Sequence, residues 1–220
     1  MALRTDILPQ DQLAFWRREA TCLPPGWVLY GGTAIALQLG HRGSVDFDFF
    51  SSEPLDRVAI RASSPALGEA RTLQDEPETL TVSVAGGAGP SKVSFFGAID
   101  FGRVGEPLTD GESPPLASLM DLFGTKLATV TQRIEPRDYL DIAALLDAGL
   151  SINEGVSSLL ALYGNQASAV QSVKTMSWFG EGDLEVALPA TARETLMRAA
   201  EQFDPSTAPA ALKSESLSPE

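Results

Sequence analysis

Asp46 and Asp48 are the side chains best placed by type and spacing to do chemistry. They stand two apart in Val45-Asp46-Phe47-Asp48-Phe49-Phe50, whose β-branched and aromatic content predicts a strand. Alternate residues of a strand share a face, so the two carboxylates point the same way with Cα atoms about 6–7 Å apart. Two carboxylates at that separation can converge on one or two hard cations. Mg²⁺ favours one or two carboxylates completed by substrate phosphates. A metal pair can clamp the attacking and leaving oxygens of an in-line displacement. Val45, Phe47 and Phe49 would bury the other face. A plain surface strand has the same pattern, so the spacing alone leaves both readings open.

The segment upstream adds to the pattern. Gly31-Gly32-Thr33 lies between an apolar run, Trp27-Val28-Leu29-Tyr30, and a short helix predicted over Ala34 to Leu39 and ended by Gly40. Backbone amides at a helix N-terminus can cradle a phosphate, and glycine permits close approach. A Gly-Gly turn before a helix is also a common structural device. Further on, Lys126 and Arg133 are seven apart and would share a helical face, with Thr129 between them. That face could meet a triphosphate, Lys126 as a point charge and Arg133 as a fork. It could equally be solvated surface. Asp138 and Asp141 lie in the first turns of the next helix, where the helix dipole alone accounts for acids.

Chain order then supplies the frame. A first helix is expected from Gln10 to Cys22, then the strands and short helix above. A helix opened by Pro54 follows, and three strands over Ala70–Leu73, Leu80–Val84 and Lys92–Phe96. The last two would be joined by a flexible hairpin loop, Gly86-Gly87-Ala88-Gly89-Pro90. Ser113-Pro114-Pro115 reads as a helix start, with Leu116, Leu119, Met120, Phe123, Leu127 and Val130 at helical spacing. Helices are then expected from Pro136 to Gly149, from a capping box at Ser151 and Glu154, within 165–178 and within 189–203. The expected fold is α+β (α/β): a mixed sheet with flanking helices over 1–110, a mainly helical part over 111–203 packing on it, and a disordered tail over 204–220.

Composition narrows the function classes. The single histidine, His41, and single cysteine, Cys22, exclude a multi-His or Cys-rich zinc site. Cys22 is read as a buried, inert thiol in a reducing, cytoplasmic setting. No apolar run spans a bilayer, and the N-terminus lacks a secretory h-region. The net charge of −13 argues against broad attraction to nucleic acid, without excluding a local basic groove.

Taken together, Tyr30-Gly31-Gly32-Thr33-Ala34-Ile35-Ala36-Leu37 and Arg42-Gly43-Ser44-Val45-Asp46-Phe47-Asp48 resemble the first motif of DNA polymerase β-like nucleotidyltransferases. The form is similar to the AbiEii/AbiGii branch, toxins of abortive-infection and toxin–antitoxin systems. Lys126, Arg133 and Arg137-Asp138-Tyr139-Leu140-Asp141 are similar to that family's second signature. The resemblance covers roughly Trp27 to Gly149. It implies Asp46 and Asp48 as ligands of Mg²⁺ (or Mn²⁺), and Asp46, Asp48, Lys126 and Asp138 as catalytic. It implies that Gly31, Gly32, Thr33, Arg42, Ser44, Lys126 and Arg133 bind the nucleotide, with Asp138 holding Lys126 or Arg133. The implied reaction is nucleotidyl transfer from an NTP to an acceptor hydroxyl, in tRNA or a protein. A cognate antitoxin protein is the implied partner, and no membrane is involved. A third acid, expected on the strand near residue 94, is replaced by Ser94. That departure keeps open a nucleotide-binding protein of the same fold without catalysis, and the net charge of −13 keeps open a small-molecule nucleotidyltransferase whose cationic substrate meets Asp138, Asp141 and Asp147.

Overall fold

The computed structural model describes residues 3–87 and 89–219, so Ala88 of the expected hairpin loop lies outside the described residues. The chain divides into two compact units. A sheet unit contains residues 1–102, 106–117 and 214–220, and a helical unit contains 103–105 and 118–213.

In the sheet unit, α1 (Gln10–Arg18) precedes β1 (Val28–Tyr30), α2 (Gly31–Leu39) and β2 (Asp46–Phe50). Then come α3 (Arg57–Ala62), α4 (Pro65–Gly68), β3 (Arg71–Glu76), β4 (Thr79–Val84) and β5 (Ser91–Phe96). The sheet order is β1-β2-β5-β4-β3. Only β2 and β5 pair in parallel; the other three neighbouring pairs are antiparallel, so the sheet is mixed as expected.

The two faces of β2 differ. Phe47 and Phe49 are fully buried. Trp16 of α1 stacks on Phe47 at a ring distance of 5.8 Å, Phe15 packs against it at a tilt at 5.0 Å, and Trp27 meets Phe95 edge-on at 5.3 Å. Aromatic burial of this kind dominates core energetics and fixes which way the strand faces. Asp46, Asp48 and Phe50 therefore occupy the opposite, half-exposed face. Val45 lies outside the strand and is exposed, so it does not extend the apolar face.

Several expected helix boundaries move, among them the end of the first helix, which stops at Arg18 and not at Cys22. Thr33 does not stand in a separate turn, because α2 begins at Gly31 itself. Pro54 does not open α3: Asp56 caps that helix by accepting the Ala59 N–H at 2.9 Å. Ser113-Pro114-Pro115 is not helical, with the Pro115 carbonyl accepting from Leu29 N–H, and Leu116 bridging both Leu29 and Leu108. Consecutive prolines disfavour the α region in the residues before them. The helix starts instead at Leu119, capped by Ser118. Cys22 is exposed, its thiol directed to the Arg18 carbonyl.

The helical unit holds α5 (Leu119–Thr129), α6 (Pro136–Asp147), α7 (Ile152–Tyr163), α8 (Ala169–Met176), α9 (Leu184–Ala187) and α10 (Ala190–Glu201). The Ser151–Glu154 capping box forms at the start of α7. Two glycines let α5 and α7 approach closely. A Cβ on Gly124 would sit 2.9 Å from the Leu159 nitrogen, and one on Gly155 would sit 2.7 Å from the Phe123 ring. Asp121 ties residues 103–105 to α5, accepting from Val104 N–H at 2.6 Å, Gly105 N–H at 3.2 Å and Ser118 Oγ at 2.6 Å. Burial pushes its pKa up, and those three donors only partly offset the desolvation.

The segment expected as a disordered tail carries fixed contacts over its described part. Ala210 N–H donates to the Ser157 carbonyl within the helical unit. Within the sheet unit, Leu217 is fully buried and its N–H donates to Ser52 Oγ at 3.0 Å. One buried leucine and its backbone bond anchor a stretch whose Pro/Ser/Ala composition gives no periodic signal.

Candidate active site

The first turn of α2 meets β2 at Asp48. Gly31 opens the helix with φ +70°, and a Cβ there would lie 2.8 Å from Asp48 Oδ2. Both facts demand glycine: the backbone is left-handed, and the carboxylate occupies the space a side chain would need. No side chain caps this helix end. The amides of Gly31, Gly32 and Thr33 have no acceptor within their own helix and point out of its positive end. Gly31 and Gly32 are half-exposed.

The Thr33 hydroxyl lies inside the protein. It is 2.7 Å from Ser44 Oγ and donates to the Asp46 carbonyl. Thr33 and Ser44 are both buried, so their hydroxyls tie α2 to the start of β2 and fix the position of Asp46. Only the Thr33 backbone amide is left to meet a ligand. Arg42 lies in the connecting turn, its guanidinium donating to the Gly43 carbonyl at 3.0 Å.

Register adds two residues to the carboxylate face. Asp48 is opposite Ser94 and Asp46 is opposite Lys92 on parallel β5. Ser94 stands where the third acid was expected; it is buried and accepts from Thr81 Oγ1 at 3.3 Å. Lys92 is exposed and was missed by sequence reasoning, though the alternation Lys92-Ser94-Phe96 marks it as sharing the face of Ser94. Asp100 is exposed beyond the end of β5. Among the described residues, no group of three or more His, Cys, Asp or Glu is arranged to hold a metal ion. Two half-exposed carboxylates on one face fit a hard cation completed by phosphate oxygens, and do not fit an all-protein cage.

The helical unit gathers the second set of expected residues. Lys126 Nζ lies 2.6 Å from Asp138 Oδ1 and 2.7 Å from Asp141 Oδ2. Arg133 donates to the same Asp138 through Nε at 2.9 Å and through Nη2 at 3.2 Å. Two expectations are corrected. Arg133 is not on the helix of Lys126, because α5 ends at Thr129 within the β-branched run Thr129-Val130-Thr131. Lys126 is not on a solvated stripe: it is 6% exposed, while the Arg133 side chain is 61% exposed. Two cations and two carboxylates balance, which removes the cost of a buried net charge. Burial pushes the Asp138 carboxyl up, but the Arg133 hydrogen bond and the Lys126 charge outweigh it and leave its pKa below the ordinary value.

A family model described as "Nucleotidyl transferase AbiEii toxin, Type IV TA system" matches residues 20–214. An uncharacterized protein of Aquifex aeolicus is 30% identical over 126 residues, covering 54% of this chain and 56% of that protein, so the chain spans little more than half its length. MenT4, a nucleotidyltransferase toxin of Mycobacterium tuberculosis, has a similar fold with a TM-score of 0.58 at 15% identity, covering 90% of this chain and 86% of that one. JHP933 of Helicobacter pylori has a TM-score of 0.57 at 16% identity, covering 87% and 89%.

Two outcomes follow from this geometry. Gly31→Ala combines left-handed strain with a clash at Asp48, and should lower stability by about 1–3 kcal/mol in denaturant unfolding. A variant as stable as wild type would mean that the carboxylate is not held there. Asp138 contributes stability that is complete above the ordinary aspartate range and is lost as pH falls through its depressed folded-state pKa. The stability gap between wild type and Asp138→Asn should be constant above about pH 5 and shrink below about pH 4. A gap that instead widens on acidification would contradict the ion cluster.

Proposed function

We propose, from the premise that this chain belongs to the AbiEii nucleotidyltransferase toxin family, that it transfers a nucleoside monophosphate from an NTP to an acceptor hydroxyl, with tRNA as the acceptor. The observation that carries the reading is the Asp48 carboxylate seated against the glycine that opens α2, with Asp46 on the same strand face. A carboxylate pair beside the amide end of a helix suits a triphosphate and its divalent cation.

Asp46 and Asp48 would hold Mg²⁺ or Mn²⁺. When bound, the ion would neutralise phosphoryl oxygens and acidify a coordinated hydroxyl. The amides of Gly31, Gly32 and Thr33 take the outer phosphates, and Lys92 adds a positive charge beside Asp46. Within the helical unit we assign Arg133 to nucleotide phosphate, with Lys126 and Asp138 setting its position. Lys126 acts from within the ion cluster, because two of its three N–H donors are already committed to carboxylates. The acceptor oxygen attacks the α-phosphorus, the bond to the bridging oxygen breaks, and pyrophosphate leaves. Ser94 is no base at neutral pH. Asp48, half-exposed and in register with Ser94, is the residue assigned to take the hydroxyl proton. Catalysis on this account is positioning plus charge neutralisation.

The family also motivates a toxin role, with an antitoxin protein as partner and the cytoplasm as the place of action. No helix among the described residues is long and apolar enough to cross a membrane.

The test uses each of the four NTPs labelled at the α-phosphate, with Mg²⁺ and total tRNA. Wild type should move label into RNA, and the Asp46→Ala/Asp48→Ala double variant should be slower by about 10³-fold or more. Mg²⁺-dependent NTP binding without labelled RNA would sink the RNA acceptor. The protein-acceptor, small-molecule and non-catalytic readings would then lead.

A further inference from the structure

The helical unit contains a cleft of about 380 Å³ between the end of α5 and the C-terminal part of α8. Its lining is unusual for an acidic protein. It includes Trp178, 62% exposed, together with Arg133, Lys174 and the side-chain amides of Gln132 and Gln171. Glu181 is the acid on its rim.

Trp178 is exposed but held. A Cβ on Gly180 would lie 2.8 Å from the indole ring, so the backbone at 180 is packed against the indole and braces it. The Trp178 backbone N–H donates to the Thr175 carbonyl, which fixes the chain at the foot of the side chain. An indole that keeps most of its surface in water, with a backbone brace and cations nearby, is arranged to stack on a flat ring joined to a negatively charged group. Stacking on an aromatic side chain tolerates any base, because every base has a π-face. Gln132 offers a donor and an acceptor to a base edge, and Gln171, whose Nε2 donates to Thr175 Oγ1 at 3.1 Å, offers its amide oxygen.

We propose that this cleft is a nucleotide-binding subsite, in which a nucleobase stacks on Trp178 and its phosphate meets Arg133 and Lys174. Its chemistry is shared by a free nucleoside triphosphate and by the unpaired end of an RNA strand. The proposal extends the reading above, since Arg133 belongs to both, yet it rests on groups of the helical unit alone. A test without divalent metal therefore fails or succeeds separately from the Asp46–Asp48 chemistry.

Intrinsic fluorescence provides the readout. Trp16 and Trp27 are 3% and 7% exposed, so a ligand that quenches by stacking reports on Trp178. The full chain is titrated in EDTA with each of the four NTPs and, in a second arm, with a short single-stranded RNA. Saturable quenching by either is expected. Tighter binding of the NTP would mark the cleft as a donor site, and tighter binding of the RNA would mark it as an acceptor site. Ligand binding followed by anisotropy of a fluorescent analogue should weaken about tenfold in Trp178→Leu and in Lys174→Ala. Gly180→Val should weaken it too by displacing the ring, with far-UV circular dichroism unchanged. No saturable quenching at millimolar NTP or RNA, or equal affinity in Trp178→Leu, would overturn the proposal.

Discussion

No side-chain carbon fits between the first turn of α2 and the Asp48 carboxylate. That contact sets the helix start, the left-handed backbone at Gly31 and the direction of the carboxylate at once. Thr33 completes the arrangement two residues on, spending its hydroxyl on Ser44 and on the Asp46 carbonyl. The helix end and the strand are thus joined twice, once by an excluded Cβ and once by buried hydroxyls. Neither link works unless Phe47 and Phe49 hold the other face of β2 in the core.

The helical unit solves a related problem with charge. Lys126 can be buried because Asp138 and Asp141 are buried with it, and Arg133 completes the balance from a half-open position. Removing one member of such a group leaves another as an uncompensated charge, which is far costlier than losing a surface pair. The cluster holds Arg133 at the mouth of the cleft it shares with Trp178. Positioning of one exposed guanidinium is the consequence with functional interest.

Much of this was legible in the sequence where the signal is local. The period-two alternation of Asp46, Phe47, Asp48 and Phe49 reads directly as two faces, and the Ser151–Glu154 box marks its helix start. The Gly31-Gly32-Thr33 turn was legible as a turn, but not as the helix itself, since that depends on contact with a strand fifteen or so residues on. Lys92 was not legible as a neighbour of Asp46, because a parallel register is set by the whole sheet. Arg133 lies off the helix that its spacing of seven from Lys126 suggests, because the β-branched run at 129–131 ends that helix first. Leu217 is the same lesson at the other end of the chain, a single buried side chain in a composition that reads as tail.

The most direct measurement is anomalous diffraction from crystals grown with Mn²⁺ and a non-hydrolysable NTP. The account predicts Mn²⁺ bound by the carboxylates of Asp46 and Asp48 and by a phosphate oxygen, with the outer phosphates against the amides of Gly31 to Thr33. Metal and triphosphate bound together at some other place, with that face of β2 vacant, would contradict it.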